Sequence, residues 1–173
     1  EFFSNYIGEY PFIREKYAMS ETPFQEAGAM ENQTATTMGD FIMDDESIIA
    51  HELAHQWWGD ALSPDSFKGI WLNEGFATYF DALFFEFKYG TEVFNERMRS
   101  SGSRVMSDGS VDYPIYDPPE NLYFGSAVYH KGAWVLHMLR QELGDNVFWD
   151  GMRYFYDQYK NRNALSDDFK KCM

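Results

Sequence analysis

One cysteine, Cys172, stands in a chain of 173 residues, so no disulfide can form within it. Basic residues are scarce as well: 14 Lys and Arg face 28 Asp and Glu, a formal net charge of −14. That balance excludes nucleic acid as a partner, because neutralising phosphates takes a basic stripe and the sequence has none. An acidic field opposes self-association and also favours cationic substrates, among them the ammonium of a peptide N-terminus. The sequence shows no run of 18 apolar residues and no signal peptide. These absences assign no compartment and leave membrane association open. Repeats, low-complexity tracts and clear linkers are missing too, which leaves residues 1–173 to form one domain with a real core.

Histidine is rare, with four in the chain, yet two of them stand four residues apart in His51-Glu52-Leu53-Ala54-His55. On a helix that spacing puts both imidazoles on one face, where they can point at a single ion. Glu52 sits beside that face, within reach of a water on the ion but not as a ligand. Glu74 follows His55 after 18 intervening residues and can supply an anionic third ligand from a second helix. Two His and one Glu with a position left open form the donor set of a catalytic zinc site. Such an ion lowers the pKa of water to about 7. Glu52 is then the natural general base, taking a proton from the water and delivering it to the leaving amine. The other two histidines, His130 and His137, have no further ligand at helical spacing and read as structural or solvated.

The flanks of these residues carry a family resemblance. The runs Ile48-Ile-Ala-His-Glu-Leu-Ala-His-Gln-Trp-Trp-Gly59 and Trp71-Leu-Asn-Glu-Gly-Phe-Ala77 resemble the M1 zinc aminopeptidases. Upstream, Gly28-Ala29-Met30-Glu31-Asn32 is similar to the family's exopeptidase motif. Downstream, Tyr129-His130-Lys131-Gly132-Ala133 is similar to its catalytic-tyrosine segment. All four occur in the family's order.

The resemblance implies an α+β fold of the thermolysin-like catalytic-domain type. It implies one zinc per chain on His51, His55 and Glu74, with Glu52 as general base and Tyr129 as a donor to the oxyanion. Without it, Tyr129 would read as one packing tyrosine among 12. It further implies that Gly28, Ala29, Met30, Glu31 and Asn32 bind substrate. There the Glu31 carboxylate would pair with the free α-ammonium, while Ala29 and Met30 line the pocket for the first side chain. The implied partners are peptides with a free N-terminus. Family members are longer and multidomain. Residues 1–173 therefore read as one truncated catalytic domain, separated from an N-terminal β domain and a C-terminal helical domain. Its start at Glu1 and its end at Met173, both in helical pattern, agree with that reading. The sequence departs from the family at Gln33-Thr34, where Trp-Gly is usual, and this leaves side-chain preference open.

Coarse patterning divides the chain into a β-rich and loop part, residues 1–43, and a helical part, residues 44–173. Residues 1–8 read as the tail of a helix. Turn signals at Glu21-Thr-Pro23, Ala27-Gly28 and Met38-Gly39-Asp40 then suggest short strands. Asp44 or Asp45 N-caps a helix reaching to about Trp58. A second helix runs from Gly69 to Tyr89 with Gly90 behind it, its apolar stripe made of Leu72, Phe76, Tyr79, Phe80, Leu83, Phe84 and Phe87. Further helices are expected over 91–106, 122–143 and 147–159, with Ser166 capping a last one. Asp81, two turns beyond Glu74, is a candidate hydrogen-bond partner behind a ligating histidine, and Asn73 can hydrogen-bond within the site.

Three alternatives remain beside a zinc aminopeptidase. A thermolysin-type endopeptidase shares the metal motif, and Gly28–Asn32 argues against it. An epoxide hydrolase, like the bifunctional leukotriene-processing member of the family, is marked by nothing in these residues. A non-catalytic scaffold of the same fold should have lost a ligand or the base, whereas all are present here.

Overall fold

The computed structural model describes residues 1–23 and 28–173. A short helix, α1 (Phe2–Tyr6), leads to three strands: β1 (Ala18–Thr22), β2 (Ala29–Met30) and β3 (Ala35–Gly39). The sheet has the order β1-β3-β2, with β1 parallel to β3 and β2 antiparallel to it. Pairing of Ala29 with Met38 and Met30 with Thr37 fixes where Glu31 leaves the sheet. Ala27, half of one expected turn, lies outside the described residues. The tight return between β2 and β3 puts Thr34 at φ +61°, a left-handed conformation that is costly for a β-branched residue. This is the position where the family usually carries glycine. Thr34→Gly should therefore raise stability, the relieved strain of about 1–2 kcal/mol outweighing glycine's entropy cost of about 0.5–1 kcal/mol. A urea midpoint lower than that of the parent would contradict this.

Asp45 starts the helix that carries the two spaced histidines, α2 (Glu46–Ala54). Its carboxylate accepts from the N–H groups of Ser47 (2.9 Å) and Ile48 (3.2 Å), donors that a helix start leaves free. The helix ends at Ala54, short of the expected Trp58. His55 is its C-cap, and the chain turns before Gly59, whose φ of +130° suits glycine alone.

The next helix, α3 (Trp71–Tyr89), is the centre of the molecule and packs against α2, against α4 (Thr91–Ser107) and against α5 (His130–Leu143). Leu72, Phe76, Tyr79, Phe80 and Leu83 of the expected stripe are buried on it. The high aromatic content is largely core: Trp58 lies 4.9 Å from Phe76 and 5.5 Å from Phe80, ring centroid to centroid. Burying such side chains contributes about 1.5–3 kcal/mol each, and it anchors the segment leaving α2 to α3.

Helices α3 and α5 meet at two glycines. A Cβ on Gly75 would come within 3.0 Å of Gly132 Cα and of the Val128 carbonyl, so the backbones touch without side chains between them. Gly75→Ala should cost about 1–3 kcal/mol, since neither backbone can yield. Thermal melting checks this, and an unchanged midpoint would count against the contact.

Three features differ from expectation. Helix α5 begins at His130, whereas Leu122 was expected, because Gly125 and the prolines upstream favour turns over residues 120–129. Ser166 is the first residue of α7 (Ser166–Cys172) and does not cap it: the Leu165 N–H bonds the Asp168 carboxylate at 3.0 Å, and the Ser166 hydroxyl accepts from Trp71 Nε1 at 2.8 Å. The helical part also contains a parallel strand pair, β4 (Leu62–Pro64) with β5 (Arg162–Ala164), which ties the link after α6 (Asp145–Tyr159) to the segment leaving α2. No described helix is long and apolar enough to cross a membrane.

Candidate active site

Helix α2 delivers His51 and His55 on one face, and the first turn of α3 delivers Glu74 opposite them. Glu74 Oε2 lies 3.4 Å from His51 Nε2 and 3.3 Å from His55 Nε2, and the two imidazole nitrogens are 3.0 Å apart. The other nitrogen of His55, Nδ1, is 3.0 Å from the Trp58 carbonyl. A carbonyl only accepts, so Nδ1 carries hydrogen and the lone pair of the neutral ring sits on Nε2, facing the cluster. Burial disfavours charge on His55, but Glu74 beside it more than offsets this and lifts its pKa to about 10. Burial works against the Glu74 charge as well, yet the two imidazoles hold its carboxyl down to about 2. His51 is pushed below its ordinary value, first by burial and then by the charge on His55. The three groups therefore form a pocket that stabilises a cation.

Glu52 points from α2 into the same space and is 6% exposed, and its Oε2 has no hydrogen-bond partner among the described residues. Burial, opposed by His55 and assisted by Glu31 and Glu74, pushes its pKa up to about 7. Tyr129 sits at the N-cap of α5, with its ring stacked on His51 at 6.0 Å and 10°. Burial and then the charge of Glu74 raise its phenol far above the usual range, so it keeps its proton. The glycine contact between α3 and α5 is what brings Tyr129 to this place.

A cleft of about 720 Å³ adjoins Glu74 and Tyr129 and is lined also by Ala29, Met30, Glu31, Phe67 and Phe124, and it shares Ala29, Glu31, Glu74 and Tyr129 with the neighbouring hollow that holds the histidines. Gly28 borders the part that holds His51, Glu52 and His55. Asn32 is not brought to the cleft: it is exposed, and its amide donates to Thr37 Oγ1 at 3.0 Å, closing the return to β3. Asp81 does not back a histidine either. It accepts from Ser47 Oγ at 3.0 Å and is ion-paired with Arg97, and the carbonyl of Trp58 serves His55 instead. The charge of Arg97 draws the carboxylate away, and no spacing rule on α3 reveals an arginine on α4. His130 Nδ1 lies 3.2 Å from Ser101 Oγ, and His137 packs 5.3 Å from the rings of Phe94 and Trp134.

The contacts of Gln56 escaped the motif reading, whereas Asn73 makes the expected hydrogen bond within the site. Gln56 is buried, its Oε1 accepting from Thr34 N (2.9 Å) and Tyr10 OH (3.2 Å) while Nε2 donates to Asp60 (2.7 Å). It fastens the β2–β3 return to the end of α2. Asn73 Nδ2 donates to Glu31 Oε1 at 3.0 Å.

The description of the peptidase family M1 domain matches residues 1–173. The chain belongs to peptidase family M1. Among relatives of this M1 chain is endoplasmic reticulum aminopeptidase 2 from Bos taurus, 29% identical over 97% of the chain and 20% of that protein. A probable aminopeptidase 2 from Sulfurisphaera tokodaii is 33% identical over 98% of the chain and 24% of its own length. The chain thus spans a quarter or less of these relatives. The crystal structure of an M1 zinc metallopeptidase from Deinococcus radiodurans superposes with a TM-score of 0.86 at 29% identity, over 98% of this chain and 37% of that one.

Proposed function

We propose that the protein carrying this chain is a zinc-dependent aminopeptidase that hydrolyses the first peptide bond of peptides with a free N-terminus. The observation that carries the reading is the convergence of His51 Nε2, His55 Nε2 and Glu74 Oε2, in one cleft with Glu31 and the unpartnered carboxyl of Glu52. The donor set fits zinc: two imidazole nitrogens and a carboxylate, with the outer nitrogen of His55 already committed to a carbonyl. Zinc held by these three residues supplies Lewis acidity that makes water a nucleophile near neutral pH. Glu52 takes a proton from the attacking water and passes it to the leaving amine. Burial, which raises its pKa, favours a group that both takes and gives up a proton. The Tyr129 hydroxyl, kept protonated, donates to the oxyanion of the tetrahedral intermediate. Glu31 accepts the α-ammonium of the substrate, which restricts cleavage to the first residue. Ala29 and Met30 line the adjoining cleft, where the first side chain lies. The organisation of 1–173 as one part of a larger, multidomain peptidase belongs to the same reading, supported by the share of its relatives that it spans.

The test uses the full-length protein, loaded with zinc, on one peptide offered with a free and with an acetylated N-terminus. Stepwise loss of N-terminal residues from the free form alone is expected. Cleavage of both forms at internal bonds would make the protein an endopeptidase, and cleavage of neither with zinc bound would make it a scaffold.

A further inference from the structure

We infer that Asn73 is a positioning residue for substrate recognition, holding the Glu31 carboxylate in the orientation that receives the α-ammonium; the inference rests on the aminopeptidase reading of Glu31. Glu31 leaves the edge of β2 as a half-buried side chain, among groups of its own charge. Its carboxylate lies in one cluster with Glu52 and His55, within 4.8 Å ligand atom to ligand atom, and Glu74 lines the same cleft. A carboxylate so placed has both carboxyls and an imidazole about it, and a directional donor decides which way it points. Asn73 supplies it at 3.0 Å. Only the amide nitrogen can face a carboxylate, so the orientation of the Asn73 side chain is determined by its partner.

Two further observations indicate that the structure is adapted to this orientation. Asn73 Oδ1, turned the other way, is buried and has no hydrogen-bond partner among the described residues. An unsatisfied buried acceptor is costly, and the amide keeps that arrangement while its nitrogen serves Glu31. Oδ1 also occupies the space a side chain would fill at Gly59: a Cβ there would stand 2.1 Å from it. Gly59 therefore admits the amide, Asn73 orients Glu31, and the backbone of Asn73 leads directly into the candidate ligand Glu74. The ammonium anchor and the metal site are set by consecutive residues of one helix turn. A free N-terminus is thereby held at a fixed distance from the reacting carbonyl.

The role separates from plain structural support by a ligand that differs only in the amine. Full-length, zinc-loaded protein is titrated by calorimetry with leucine hydroxamate and with 4-methylpentanohydroxamate, which lacks the α-amine. Wild type should prefer the amine. Asn73→Ala should weaken the amine-bearing compound by about tenfold, with the other compound and the zinc content unchanged. Asn73→Asp fills the same space beside Gly59 but sets a carboxylate against Glu31, and should lose at least as much. An amine preference that survives both variants overturns the inference, as does equal weakening of both hydroxamates. Failure of the Glu31 reading itself would appear earlier and separately, as a wild type without preference for the amine.

Discussion

Replacing Glu52 with glutamine should lower peptide hydrolysis by about 10²–10⁴-fold while zinc remains bound. The amide has the shape of the carboxyl but cannot take a proton from water, so the chemistry is lost and the packing is kept. The structure adds a second expectation for the same variant. Glu52 is buried with one oxygen unpartnered, and burial is the main cause of its raised pKa. A carboxyl whose pKa is raised on folding binds protons more tightly when folded, so its ionisation above its unfolded pKa destabilises the protein. Glutamine removes that cost, and metal-free Glu52→Gln should melt at a higher temperature than metal-free wild type near neutral pH. Kinetics and metal analysis on the zinc-loaded variant, and a melting curve on the metal-free one, decide the matter. Retained activity would remove Glu52 from the mechanism, and lost zinc would make it a ligand.

His55→Ala should behave in the opposite way, losing zinc and activity together. Of the three candidate ligands His55 is the most deeply buried, and its ring is locked by the Trp58 carbonyl. Loss of such an outer hydrogen bond typically costs 10–100-fold in metal affinity, and removing the ligand itself should cost more than about 100-fold. The variant also leaves Glu74 buried with one imidazole where it had two, which makes the site a poorer cation pocket. Zinc content after dialysis, and competition with a chromophoric chelator, report the loss. An alanine variant that keeps stoichiometric zinc at unchanged affinity would displace His55 from the ligand set.

Much of the site was legible because its information is local. The four-residue spacing of His51 and His55, the capping carboxylate of Asp45 and the stop at Gly90 each act within one or two helix turns, and each is seen in the fold. The apolar stripe of α3 likewise follows from helical period as far as Leu83, beyond which Phe84 is half-buried and Phe87 exposed. Several of the misreadings share another property: they depend on a partner far away in sequence. Asp81 was placed on the correct face of α3, yet Arg97 claims it from another helix. Ser166 has the chemistry of a cap, and Trp71, 95 residues away, uses its hydroxyl instead. The β4–β5 ladder joins segments about a hundred residues apart, too short individually to show a strand period. For α5 the apolar run from Leu122 favoured helix, and Gly125 together with the turn bonds around it prevailed.

The bare contact between Gly75 and Gly132 has a consequence for anyone redesigning this protein. Where two helices are spaced by interdigitating side chains, each repacking of the core resets their separation. Here the spacing is set by main-chain atoms, which no substitution elsewhere can lengthen or shorten. Glu74 is the residue before one glycine, and Tyr129 lies three residues before the other, so their separation works as a hard stop in the scaffold. The aromatic core around Trp58 and Phe80 can then be altered for heat tolerance, and the cleft wall at Phe67 and Phe124 for selectivity, with Glu74 and Tyr129 still in register. The same hard stop leaves these two glycines little open to change.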